Sequence, residues 1–192
     1  MKKTLLLTLI ASTFIFANGE TKPVSSTISP TTLNEEGDVI SSIPMTIGLL
    51  GGILQGEGEN DEWENMFGAE FAFECLFSSN VRSQVQYTYY DVDGLTMQQI
   101  STNPHFVFYF ENFGESVEFG VGPHLGITQI EKGNDDDIVF TYGIGTSVRM
   151  DIANNIFVGA EVRYEWTTDA TLGNKDESYD NAKVFAKIGY TF

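Results

Sequence analysis

The chain has 192 residues, ten lysines and arginines against 27 aspartates and glutamates, and a formal net charge of −17 at pH 7. So acidic a chain repels the phosphates of nucleic acid and does not seek it as a partner. Cys75 is the only cysteine, so no disulfide forms within the chain, and no apolar run reaches the ~20 residues that a membrane-crossing helix needs.

Met1-Lys2-Lys3 is a cationic start, followed by an apolar run from Thr4 to Phe16 and then Ala17-Asn18. This pattern reads as a secretory signal peptide over residues 1–17. Removing Lys2 and Lys3 makes the mature chain two charges more negative. Cys75 is far from the expected cut, so a lipid anchor is not expected. Residues 18–44 are rich in Ser, Thr and Pro, carry Glu35, Glu36 and Asp38, and show no sustained alternation. They read as a flexible periplasmic leader. The remainder, 45–192, fits one domain.

That domain repeats one pattern, apolar and polar side chains alternating with the period of two that defines a strand. Met45 to Gln55 sets Met45, Ile47, Leu49 and Ile53 against Thr46, Gly48, Leu50, Gly52 and Leu54. Phe67 to Phe77 sets Phe67, Ala69, Phe71, Phe73, Cys75 and Phe77 against Gly68, Glu70, Ala72 and Glu74. Val81 to Tyr90 opposes Val81, Val85, Tyr87 and Tyr89 to Arg82, Gln84, Gln86 and Thr88. Thr102 to Phe110 opposes Phe106, Phe108 and Phe110 to Asn103, His105 and Tyr109. Ser116 to Ile130 opposes Val117, Phe119, Val121, Pro123, Leu125 and Ile127 to Glu118, Gly120, Gly122, His124, Gly126 and Thr128; Pro123 removes one ladder donor. Asp137 to Ile152 and Asn155 to Thr167 continue the pattern. Their polar faces carry Arg149 and Asp151, then Glu161, Arg163 and Glu165. Asn181 to Phe192 ends it, with Ala182, Val184, Ala186, Ile188, Tyr190 and Phe192 on one face and Lys183, Lys187, Gly189 and Thr191 on the other; Phe185 is the exception.

These are eight strands. Their connections alternate between short (78–80, 111–115, 153–154) and longer acidic ones (56–66, 91–96, 131–136, 168–180), as in outer-membrane barrels with short periplasmic turns and long outer loops. Alternation alone leaves open which face points inward, and a soluble lipocalin-like barrel would put the apolar face inside; a periplasmic sandwich is a further alternative. Three features favour the membrane arrangement. The charged face is glycine-rich, which suits a cramped lumen. Aromatics such as Tyr164, Trp166, Tyr190 and Phe192 sit near strand ends, like an interfacial girdle. The polar faces are nearly neutral, with Glu70, Glu74, Glu118, Asp151, Glu161 and Glu165 opposed to Arg82, Arg149, Arg163, Lys183 and Lys187. A closed interior requires that balance, because buried charges must pair. The acid surplus falls on the long connections, whose bases are only Lys132 and Lys175.

The closing Lys-Ile-Gly-Tyr-Thr-Phe resembles the C-terminal signal strand of bacterial outer-membrane proteins, and the domain as a whole resembles the small eight-stranded outer-membrane barrels, which include the OmpA transmembrane domain, OmpX and the opacity proteins. The resemblance implies an all-β, eight-stranded antiparallel up-and-down transmembrane β-barrel in the bacterial outer membrane. It implies contact with outer-membrane lipids and lipopolysaccharide, and recognition of Tyr190 and Phe192 by the barrel-assembly machinery.

An eight-stranded barrel leaves an interior that side chains just fill. The expected lumen is therefore plugged by the ion-pair network named above, with a structural or surface-interaction role. A narrow porin-like channel is the first alternative and a lipid A-modifying enzyme the second. The enzyme reading fits the residues poorly. Gly126 stands where a His-x-Ser motif starting at His124 would need serine, and His105 has no serine two residues on. No catalytic residue, cofactor or resident metal is expected. Residues 57–64 and Asp135-Asp136-Asp137 are candidates for divalent cations at the outer rim, although they do not match an EF-hand; solvated charge is the plainer reading.

Overall fold

The computed structural model describes residues 31–33, 39–41, 44–56, 63–75, 78–109, 117–153, 155–173 and 175–192. The expected signal peptide and most of the leader lie outside the described residues. Within the leader, β1 (Thr31–Leu33) pairs antiparallel with β2 (Val39–Ser41), a short hairpin that the absence of alternation did not suggest.

The period-two segments pair in chain order. β3 (Met45–Gly56), β4 (Glu64–Cys75), β5 (Ser78–Val92), β6 (Leu95–Tyr109), β7 (Val117–Lys132), β8 (Asp135–Ala153), β9 (Ile156–Thr167) and β12 (Asn181–Thr191) form one closed antiparallel barrel. β12 closes it on β3, from Asn181 opposite Gly56 to Thr191 opposite Thr46. Beyond the last ladder pair, Phe192 N donates to Met45 O at 2.9 Å and Met45 N to Phe192 O at 3.2 Å. Between β9 and β12, β10 (Ala170–Leu172) and β11 (Lys175–Glu177) make a separate small hairpin.

The apolar face is the outer one. Leu49 is 68% exposed and Phe67 61%, while on the other face Glu165 and Thr141 are fully enclosed. Large apolar side chains in that position would be unstable against water, and the arrangement is the inverse of a lipocalin-like barrel. The register of β3 agrees with its alternation: Met45, Ile47, Leu49 and Ile53 are exposed, and Leu50 and Leu54 are buried inside.

Several expectations change. Residues 78–80, expected as a short connection, begin β5, with Ser78 opposite Cys75. The connections 91–96 and 131–136 are tight turns, because β5 and β6 run on to Asp93-Gly94, and β7 and β8 to Gly133-Asn134. Asp93 and Gly94 have φ of 52° and 79°, the type I′ signature that matches strand twist, and Gly133 has φ of 67°. The acids Asp91, Glu131 and Asp135 to Asp137 thus sit on strand extensions. Cys75 is off the outer row: the register of β4 shifts between Glu74 and Cys75, and the thiol is buried. Phe77 and Phe110, assigned to the outer face, lie outside the described residues.

Candidate functional site: the barrel lumen

Every inward row contributes to one interior, and four levels are distinguishable along the barrel axis. At the end that carries the turns 93–94 and 133–134, six strands supply an apolar ring of Leu54, Met66, Tyr90, Met97, Ile130 and Val139, with Leu50 and Phe185 adjoining in the same cluster. Ala170 and Leu172 of the β10–β11 hairpin complete this cluster. The polar faces expected from alternation thus turn apolar near this mouth.

Below the ring lies the charged level. Arg163 is fully buried; its Nε donates to Glu161 Oε1 at 3.0 Å and its Nη1 to Glu165 Oε1 at 3.1 Å, while Nη2 also reaches Glu161 and Gln86. Lys183 Nζ donates to Glu165 Oε2 at 2.7 Å and to Gln99 Oε1 at 2.9 Å. Lys187 Nζ donates to Glu70 Oε2 at 2.5 Å and pairs with Glu161. Glu70 accepts a further bond from Gln86 Nε2 at 2.7 Å. Glu70, Glu161 and Glu165 are thus matched one for one by Arg163, Lys183 and Lys187. Charge-assisted bonds of this kind offset the cost of taking ions out of water only when each carboxylate oxygen is satisfied. The Arg163 guanidinium also lies 5.4 Å from the Phe185 ring centroid, which explains the one aromatic on the polar face of β12.

The histidines belong to this interior. With its amide nitrogen turned to the ring, Asn103 donates to His124 Nδ1 at 2.5 Å and accepts from Arg163 Nη2 at 3.1 Å. His124 Nε2 lies 3.1 Å from Glu165 Oε1, off the line of a hydrogen bond. His105 Nδ1 is 2.9 Å from Ser147 Oγ, a partner that sequence reasoning missed because it lies 42 residues away on β8. The imidazole is seated against Gly120 and Gly122; a Cβ on Gly122 would fall 2.9 Å from His105 Cα, so the lumen at this level has room only for hydrogen.

The fourth level is the rim beside the chain's closing turns. Arg82 Nη1 donates to Glu118 Oε1 at 2.6 Å, and the Tyr109 hydroxyl donates to Glu118 Oε2 at 3.3 Å. Arg149 Nη2 donates to Asp151 Oδ1 at 3.0 Å and to Thr191 Oγ1 at 2.7 Å, and its guanidinium lies 4.0 Å from the Phe157 ring centroid. Glu74 is half-buried opposite Arg82 in the β4–β5 ladder. Asp151, assigned to the lumen with the others, instead projects from the rim with its side chain 57% exposed. Tyr190 and Phe192 lie on the outer face of β12, 47% and 55% exposed.

Outside the barrel, exposed polar contacts hold the β10–β11 hairpin. Lys132 Nζ donates to Glu177 Oε2 at 2.9 Å, Tyr179 OH donates to the same oxygen at 2.9 Å, and Thr171 N donates to Asp137 Oδ2 at 2.7 Å. The bond from Lys132 holds the Glu177 carboxyl below its usual range, and the amides of Thr171 and Ile138 do the same for Asp137. Among the described residues no three His, Cys, Asp or Glu side chains converge to hold a metal ion. Most of residues 57–64, the other cation candidate, lie outside the described residues.

No protein-family model matches the chain, and no curated protein matches it. Solved structures do. Neisserial surface protein A aligns with a TM-score of 0.57 at 14% identity over 78% of this chain and 97% of its own. The N-terminal β-barrel domain of Pseudomonas aeruginosa OprF aligns at 0.54, 12% identity, over 77% and 97%. P. aeruginosa outer membrane protein H (OprH) aligns at 0.52, 15% identity, over 77% and 99%. At such identities the likeness is one of fold, and with the closed sheet and apolar exterior described above, the chain has the fold of the small eight-stranded outer-membrane β-barrel proteins.

Proposed function

We propose that this protein is a non-conducting outer-membrane barrel whose role is structural or one of surface interaction, carried by the hairpins that extend beyond the membrane. The observation behind this reading is the charged level, in which Arg163, Lys183 and Lys187 meet Glu70, Glu161 and Glu165 with Gln86 and Gln99 between them. An ion passing through must break several of these contacts and leave a partner unpaired in a low-dielectric interior. The exterior residues face membrane lipid, and lipopolysaccharide surrounds the outer half. The acids on the strand extensions meet its phosphates through divalent cations. The exposed Tyr190 and Phe192 are the contacts read by the barrel-assembly machinery.

Planar-bilayer recording tests the central point. The barrel is expected to give no discrete conductance steps at neutral pH. Reproducible steps that change on replacing Lys187 would favour the narrow-channel alternative. Mass spectrometry of lipid A from cells with and without the protein tests the enzymatic alternative, with an unchanged acyl pattern expected.

A further inference from the structure

The β10–β11 hairpin differs from the wall strands in how it is held. It leaves β9 after Thr167 and rejoins β12 at Asn181 through residues 168–169 and 178–180, which have no regular structure, and it turns at Gly173 with φ of 65°. It pairs with itself and not with the barrel sheet. Its neck is tied to the barrel: Thr168 N donates to Phe140 O at 3.0 Å and Phe140 N to Thr168 Oγ1 at 3.1 Å, while Thr167 N donates to Asp180 Oδ1 at 2.7 Å and Tyr179 N to Thr167 Oγ1 at 2.8 Å, so the bends fall at Asp169 and Ser178. Beyond the neck its contacts with the wall are of two kinds. Ala170 and Leu172 are buried among Leu54, Met66, Tyr90, Met97, Ile130 and Val139. The polar holds, Lys132 to Glu177 and Thr171 N to Asp137, are exposed, and water replaces exposed bonds at little cost. The six ring side chains come from β3 to β8; β9 ends on the buried Thr167 and β12 begins on the buried Asn181, and the hairpin hangs between these two strands.

We propose that this hairpin is a hinged stopper. Seated, it fills the ring with Leu172 and seals the outer mouth. Withdrawn, it opens a vestibule lined by the ring and floored by Gln99, Glu165 and Lys183. The outer lumen is then wetted one level deep, and passage ends at the ion pairs. This rests on the reading of the charged level as a plug. The sealing side chains and the hinges lie on one short connection, and the polar latches are the cheapest contacts to exchange for water, so opening is a local event that leaves the barrel sheet intact.

Single cysteines in a Cys75→Ser background, reconstituted in nanodiscs and treated with a charged thiol reagent, test the proposal. Heat-modifiable gel migration establishes that each variant is folded. With the latches intact, Leu172→Cys and the wall position Val139→Cys are expected to react at least about tenfold more slowly than Lys175→Cys, as for a closed state in excess. Adding Asp137→Ala and Glu177→Ala is expected to raise both rates toward that of Lys175→Cys. Ser101→Cys, below Gln99, is expected to stay unmodified throughout. Equal rates at positions 139 and 175 with latches intact would overturn the stopper, as would protection of positions 139 and 172 that survives removal of both latches. Modification of Ser101→Cys after unlatching would leave the stopper standing and overturn the plug beneath it.

Discussion

Lys187 Nζ on β12 donates to Glu70 Oε2 on β4 at 2.5 Å, a contact that reaches past the intervening β3 and joins residues 117 apart in sequence. Both side chains are almost fully enclosed. Replacing Lys187 with Met leaves Glu70 without its cation and Glu161 with only Arg163. Loss of one partner of a buried pair costs about 3–5 kcal/mol. The double replacement K187M/E70L is expected to cost less than K187M alone, because it removes the stranded charge as well. Urea unfolding of the refolded barrel, followed by heat-modifiable migration, measures both.

Gly122 is a test of packing without charge. Its missing side chain is the space that His105 and the Pro104 carbonyl occupy. G122A is expected to destabilise by about 1–3 kcal/mol, the usual cost of overpacking. Gly51, where a Cβ meets nothing within 4 Å, supplies the control: G51A is expected to leave the unfolding midpoint unchanged or slightly raised.

The hairpin latch gives a pH dependence with a defined sign. Asp137 is held below the ordinary aspartate value of 3.8 by the amides that it accepts from. A group depressed in the folded state contributes stability above its unfolded value, and that contribution is lost as pH falls through the folded value. The Thr171 amide resonance is therefore expected to be constant at neutral pH and to shift only below the ordinary aspartate range. Asp137→Ala is expected to abolish that step. A midpoint above the ordinary range would contradict the latch geometry.

Phe192 separates assembly from stability. Its side chain is 55% exposed on the outer face, and its bonds to Met45 use only backbone atoms. F192A is expected to change the stability of the refolded barrel by no more than about 0.5 kcal/mol, as exposed substitutions do. It is expected to reduce the heat-modifiable form recovered from outer membranes of cells. Equal recovery of variant and native protein would remove the assembly role.

The strands and their faces were legible because each wall residue meets either lipid or lumen, and that choice repeats every second residue. Where the environment stops being two-sided, the signal stops too. The extensions of β5 to β8 carry Asp91, Glu131 and Asp135 among apolar residues and read as loops, although Asp93-Gly94 is itself a hairpin signal. The apolar ring was hidden for a different reason. Leu54, Met66, Met97 and Ile130 look like stray breaks in four separate polar rows, and only the stagger between strands brings them to one level. Ser147 beside His105 was invisible for the same reason, since no local spacing links β6 to β8.

The position of β12 gives the charges a temporal meaning. Without that strand, the sheet from β3 to β9 holds Glu70, Glu161 and Glu165 against Arg163 alone; Lys183 and Lys187 both arrive on β12. A half-built sheet therefore carries two uncompensated carboxylates that lipid will not accept, and the strand that supplies the final hydrogen-bond ladder also brings the counter-ions. Seam and neutrality are completed in one act, so an unfinished barrel is electrostatically marked as unfinished.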